Sequence, residues 1–189
     1  VTLLACLRHG ETAWSAAGRI QGRADIPLSE AGREALRGRE LPPVCRGMRV
    51  VTSPLVRCVE SAALLGFPDA IHEFSIVETH WGEWQGERLA ELRVRLGEAM
   101  RDNEARGLDF TPPGGESPRE VMARVRSWLA QVTQPTLAIT HRGVIRAIVA
   151  DACGWDMRGP PPARLDWNAM HLFDIDSQGR PRVQQLNLK

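Results

Sequence analysis

The sequence predicts a single three-layer α/β/α domain on a mostly parallel central sheet, and three observations carry that expectation. Short apolar runs of strand length alternate with longer stretches of helical spacing. The 189 residues suffice for one α/β domain with a sizeable core and leave little over. No internal repeat or low-complexity tail interrupts the alternation.

Thr2–Leu7 is a short apolar run that stops at Arg8-His9-Gly10-Glu11, the pattern of a buried strand opening into a loop. Ser29 suits the cap of a helix through about Arg39, with Ala31, Ala35 and Leu36 on one side and Gly32 as its weak point. Arg49–Thr52 is a second strand. A helix from Ser53-Pro54 to about Leu65 follows it, with Pro54 in the first turn, where a missing N–H costs nothing. Ile71–Val77 is a third strand. Glu87–Arg106 reads as one helix through the spacing of Leu89, Leu92, Leu96 and Met100. The Pro/Gly-rich loop Thr111–Glu116 leads to Ser117-Pro118 and a helix to about Gln131, with Glu120 placed for a capping box. Thr136–Thr140 is a further apolar strand, ending at His141-Arg142-Gly143, and a helix runs from about Val144 to Cys153. Beyond the Pro-rich loop Gly159–Ala163, Met170–Asp174 and Arg182–Asn187 read as edge strands joined by the turn Ser177–Pro181.

Composition narrows the function classes. Hydrophobic residues make up 43% and charged residues 25%, and the formal net charge is +1. Such a balance gives no reason to expect nucleic acid or an anionic membrane surface as partner. No apolar run approaches the ~20 residues that span a bilayer, and no signal-like start is read. Cys6, Cys45, Cys58 and Cys153 lie far apart without a CxxC pair, which favours reduced thiols in a cytoplasmic protein over a disulfide framework or zinc site. The five histidines show no HxxxH or HExxH spacing, so neither metal nor cofactor is expected.

In open parallel sheets, sites form outside the carboxyl ends of strands. Two strands here end in a histidine with glycine close behind, at His9 and His141; a third ends at Ser53, with Arg57 one turn into the next helix. If these strands are neighbours, Arg8, His9, Arg57 and His141 converge on one cleft. Helix N-termini after Ser53 and Gly143 would add N–H groups favourable to an anion. Planar guanidinium groups pair bidentately with phosphate oxygens. A neutral imidazole nitrogen can attack phosphorus and split hydrolysis into two easier steps. The chemistry then needs an acid for the departing alkoxide.

These residues carry a resemblance to a known family. Leu7-Arg8-His9-Gly10-Glu11-Thr12 matches an RHGE[ST] signature, Ser53-Pro54-Leu55-Val56-Arg57 an SPLxR helix start, and Glu78 through Gly86 an ExxFGxWEG segment. Pro113-Gly114-Gly115-Glu116-Ser117 is similar to a PGGES loop, and Thr140 through Arg146 to an SHGGVIR segment. Five blocks in this order resemble the histidine phosphatase superfamily, in the branch of the cofactor-dependent phosphoglycerate mutases and their phosphatase relatives. That resemblance implies a phosphoglycerate mutase-like fold and His9 as the nucleophile. It also implies Arg8, Arg57 and His141 as a phosphate clamp and Glu78 as general acid, then base. Gln21 and Gly22 would approach the phosphate through main-chain groups. Ser15 stands where the family often has asparagine, and Arg142 replaces the more common glycine, with a long side chain for the cleft rim or for solvent.

Glu11, Glu83 and Glu87 compete with Glu78 by position, and no tyrosine is available as an alternative acid. Trp81 and Trp84 are expected to pack, and His72, His80 and His171 to be surface or packing residues. Glu78 and His141 are 141 − 78 = 63 positions apart, short of the larger mutase insertion. The size and motifs resemble small phosphatases such as α-ribazole phosphatase. The expectation is hydrolysis of a small-molecule phosphomonoester, with 87–115 covering the cleft and a homodimer along an edge strand as an option. A phosphoglycerate mutase and a non-catalytic phosphate-binding module are the alternatives.

Overall fold

The computed structural model describes residues 1–189. Six strands form one sheet: β1 (Thr2–Arg8), β2 (Arg49–Thr52), β3 (Ile71–His72), β4 (Thr136–Thr140), β5 (Met170–Ile175) and β6 (Pro181–Leu188), in the order β3-β2-β4-β1-β5-β6. β3, β2, β4 and β1 pair in parallel, whereas β5 runs antiparallel to both its neighbours. The helices are α1 (Ala13–Ala16), α2 (Glu30–Leu36), α3 (Val56–Leu64), α4 (Leu89–Leu96), α5 (Glu98–Glu104), α6 (Pro118–Leu129) and α7 (Arg142–Cys153).

Alternation along the strands builds the three layers. In β1, Leu4 and Cys6 face one side with Ala138 of β4, against Val121, Val125 and Leu129 of α6 and Val144, Ile145 and Ile148 of α7. Ala5 and Leu7 face the other side with Leu137, Cys45 and Met48, while Cys58 and Ala62 of α3 pack on Ile139. Each fully buried aliphatic side chain contributes on the order of 2 kcal/mol. All five residues of β4 are buried, as expected for a central strand covered on both faces. The capping box before α6 forms, with the Glu120 N–H donating to the Ser117 hydroxyl and the Ser117 N–H to the Glu120 carboxylate.

Several expected elements differ. The strand expected over Ile71–Val77 keeps only Ile71–His72 and continues as a 3₁₀ turn at Phe74–Ile76, which the Glu73 side chain caps. The helix expected over Glu87–Arg106 is broken at Gly97, whose φ of +52° a side chain rarely adopts. The two halves, α4 and α5, close a small separate cluster of Trp84, Leu92 and Met100, with Trp81 and Phe110 against it. β6 is an edge strand as expected, but β5 lies between β1 and β6 and is almost wholly buried. The short α1, capped by Thr12, was not foreseen. No helix is long and apolar enough to cross a membrane.

Candidate active site

Strand register assembles the site. Arg8 pairs with Thr140 and Thr52 with Ile139, so His9, His141 and Ser53 each lie one residue past a ladder pair on adjacent strands. The His9 N–H donates to the Thr140 carbonyl and the Ser53 N–H to that of Ile139, both at 3.0 Å, extending the ladder into the site. The His9 and His141 rings meet edge-on with centroids 5.2 Å apart.

The His9 Nδ1–H donates to the Gly10 carbonyl at 2.7 Å, which leaves the lone pair on Nε2. Burial and the charges of Arg8 and Arg57 hold this ring's pKa well below its ordinary value, against the opposing Gly10 carbonyl. The ring is therefore neutral and nucleophilic near neutral pH. His141, wholly buried, bonds the Ser53 hydroxyl through Nε2 at 2.7 Å. Its pKa is likewise held well below the ordinary value, first by burial and then by Arg57, His9, Arg124 and Arg8. Burial also lowers that of His171 in β5, which Asp166 partly offsets.

These rings bear on stability. Unfolded histidines titrate near pH 6.5, so below that pH the unfolded chain binds more protons than the folded one. Stability is full above about pH 6.5 and falls as the pH drops below it. Thermal melts are expected to show a lower midpoint at about pH 5.5 than at about pH 7.5; an equal midpoint would refute neutral buried rings.

Arg57 is fully buried and donates to the Gly22 carbonyl at 2.7 Å and the Ala24 carbonyl at 2.8 Å. Its Nε is buried without a partner, and so is the Nε of Arg8. No carboxylate lies within ion-pair distance of either guanidinium. Buried donors without acceptors are costly, and an anion placed between these two groups removes that cost. Beside Arg8 and His9, on the α2 side, opens a cavity of about 180 Å³, lined also by Glu11, Arg39 and Asn168.

The Glu78 carboxylate accepts from the N–H groups of Thr79 at 2.8 Å and Gly143 at 3.1 Å, which ties it to the first turn of α7 beside His141. A side chain at position 143 would overlap the Glu78 carboxylate and the Thr79 hydroxyl. Gly143→Ala is thus expected to displace Glu78, and misplacement of about 1 Å costs roughly 10²-fold in kcat/KM. Wild-type kinetics on an alkyl phosphate would show that the position of this carboxylate does not matter.

The structure brings Arg8, His9, Arg57, His141 and Glu78 together. Gly22 lies alongside through its carbonyl on Arg57, and Gln21 accepts from the Thr12 hydroxyl at 2.5 Å. The Ser15 hydroxyl accepts from the Thr12 N–H and closes the α1 cap. The guanidinium carbon of Arg142 lies over the Trp167 ring, 4.8 Å from its centroid.

The family model described as "Histidine phosphatase superfamily (branch 1)" matches residues 4–189. The chain belongs to this superfamily. Its relatives include the 2,3-bisphosphoglycerate-dependent phosphoglycerate mutase 2 of Gloeobacter violaceus, 31% identical over 80% of this chain and 75% of the relative. The glucosyl-3-phosphoglycerate phosphatase of Mycolicibacterium vanbaalenii is 33% identical over 82% and 75% of the two chains. The solved mycobacterial glucosyl-3-phosphoglycerate phosphatase in complex with VO3 superposes with a TM-score of 0.79, at 25% identity and full coverage of both chains.

In this histidine phosphatase, sequence reasoning passed over several groups that hold the site. Ser53 was read as a helix start, yet its hydroxyl contacts His141. Glu116 accepts from Arg23, from Arg124 and from the His80 N–H, while Arg124 donates to the Ser75 and Val77 carbonyls and so braces the segment leading to Glu78. The signal for Glu116 was its own place in the Pro113–Ser117 block. For Arg124 nothing local points to the two carbonyls it holds, which lie 47 and 49 positions away.

Proposed function

We propose that this histidine phosphatase hydrolyses small phosphomonoesters through a phosphohistidine on His9. One observation carries the reading: a neutral imidazole with a free Nε2 lone pair stands beside two arginines whose buried Nε groups lack acceptors. Nε2 attacks phosphorus, the P–O ester bond breaks, and its electron pair leaves with the alkoxide. Glu78, as general acid, protonates that oxygen. Water then attacks the phosphohistidine, gives its proton to Glu78, and the P–N bond returns its electrons to His9 as phosphate departs. Arg8, Arg57 and His141 hold the equatorial oxygens while charge builds on them. These donors supply the stabilisation that a metal would otherwise bring. In the same reading, residues 87–115 cover the cleft, because their cluster packs on Trp81 and Trp84 just beyond Glu78.

The test is phosphate release from p-nitrophenyl phosphate and a metabolite panel with EDTA present. Release by wild type is expected; loss of release under EDTA would overturn metal independence. A second reading is favoured by the 31% identity to a phosphoglycerate mutase. It requires isomerisation of 3-phosphoglycerate primed by 2,3-bisphosphoglycerate, with little net release. Hydrolysis dominating over isomerisation excludes it, and phosphate binding without either reaction would mark a binding module.

A further inference from the structure

We propose that Arg142 and Arg146, each set over a tryptophan ring on the helix that follows His141, form a second anion subsite that selects phosphomonoesters bearing a further acidic group. The inference rests on the hydrolase reading above and names its substrate class.

The two arginines are four positions apart on α7 and so share one face, with Gly143 and its bond to Glu78 between them in sequence. Neither position helps the helix. Like charges at this spacing repel, and cations in the first turns oppose the helix dipole. Nor does a carboxylate neutralise either one, although Arg126 of α6 ion-pairs with Asp151 of this same α7. Glu78, the carboxylate whose field reaches Arg146, has its oxygens on the N–H groups of Thr79 and Gly143.

Tryptophan holds both side chains instead. The guanidinium carbon of Arg142 sits 4.8 Å from the Trp167 centroid, and that of Arg146 sits 5.4 Å from the Trp155 centroid. A guanidinium attracted to an aromatic face still has N–H groups to offer to oxygen. Arg142 also adjoins the site, since it stands between His141 and the Gly143 whose N–H holds Glu78. Asn168, next to Trp167, lines the cavity shared by Arg8 and His9. The charge of Arg142 lowers the pKa of both Arg8 and Arg146, after burial in each case. Arg8 and Arg57 take the transferred phosphate, so the positive charge left over on α7 fits a second anion on the same molecule. A carboxylate or a second phosphate a few bonds from the ester oxygen satisfies this chemistry.

The experiment compares matched esters: O-phosphoserine against O-phosphoethanolamine for a carboxylate, and fructose 1,6-bisphosphate against fructose 6-phosphate for a phosphate. At least one acidic member is expected to lead by about tenfold or more in kcat/KM, the scale of one charge-assisted hydrogen bond. The pair that shows the lead identifies the group. In the Arg142→Gln/Arg146→Gln double variant that ratio should fall towards unity, mainly through KM, whereas the double lysine variant should keep most of it. Equal kcat/KM within both pairs in the wild type overturns the subsite without recourse to any variant, provided p-nitrophenyl phosphate is still hydrolysed. An unchanged ratio in a folded glutamine variant overturns it too. Absence of release from every ester, p-nitrophenyl phosphate included, removes the hydrolase reading and this inference with it.

Discussion

His9→Ala is expected to lower kcat by roughly 10⁴-fold or more on every phosphomonoester, because it removes the atom on which the phosphoryl group rests between the two half-reactions. No other group is placed to replace it. The His141 Nε2 is bonded to Ser53, and its ring stands 5.2 Å from that of His9. The fold should survive, since the His9 side chain makes a single hydrogen bond, to the neighbouring Gly10 carbonyl. A loss of about 1 kcal/mol is the scale of that bond. Rapid quench with radiolabelled ester should trap an acid-labile label on wild type and none on the variant. Wild-type turnover by the variant would end the phosphohistidine mechanism.

Glu78→Gln is expected to cost roughly 10²–10⁴-fold on alkyl phosphates and far less on p-nitrophenyl phosphate. The difference follows from the leaving group. An alkoxide must be protonated as it departs, whereas p-nitrophenolate departs as the anion. Glutamine can still accept from the Thr79 and Gly143 N–H groups, so geometry is kept while the transferable proton is lost. The ratio of kcat/KM on the two esters is therefore the decisive quantity. Equal losses on both would move the acid elsewhere, with Glu11 the nearest carboxylate in sequence to His9.

Much of this frame is legible in the sequence, because the relevant signals are local. Apolar runs that end in Arg8-His9 and Thr140-His141 announce buried strands whose last residues face a cleft, and β4 obeys this with every residue buried. What was illegible depends on partners distant in the chain. The neighbourhood of β2, β4 and β1 could only be assumed, since register is decided by packing across the sheet. The split at Gly97 was hidden because Leu89 through Met100 keeps helical spacing on both sides of the break. Ser15 was legible as a polar residue after the first motif, but not as the closing half of the α1 cap. Arg146 was legible only as the end of the Thr140–Arg146 block, and the placement of Trp155 beside it, nine positions on, could not be read from the sequence.

The ladder that runs through Arg8–Thr140 and Thr52–Ile139 has a wider consequence. The nucleophile and its nearest companions follow directly from the sheet's backbone, so their spacing is inherited from main-chain geometry that no surface loop shares. Loops that carry none of the site residues can then vary in length or charge without moving the two histidines apart. The distance between the two imidazoles is thus a property of the sheet, whereas the acid Glu78 is registered to it through the first turn of α7.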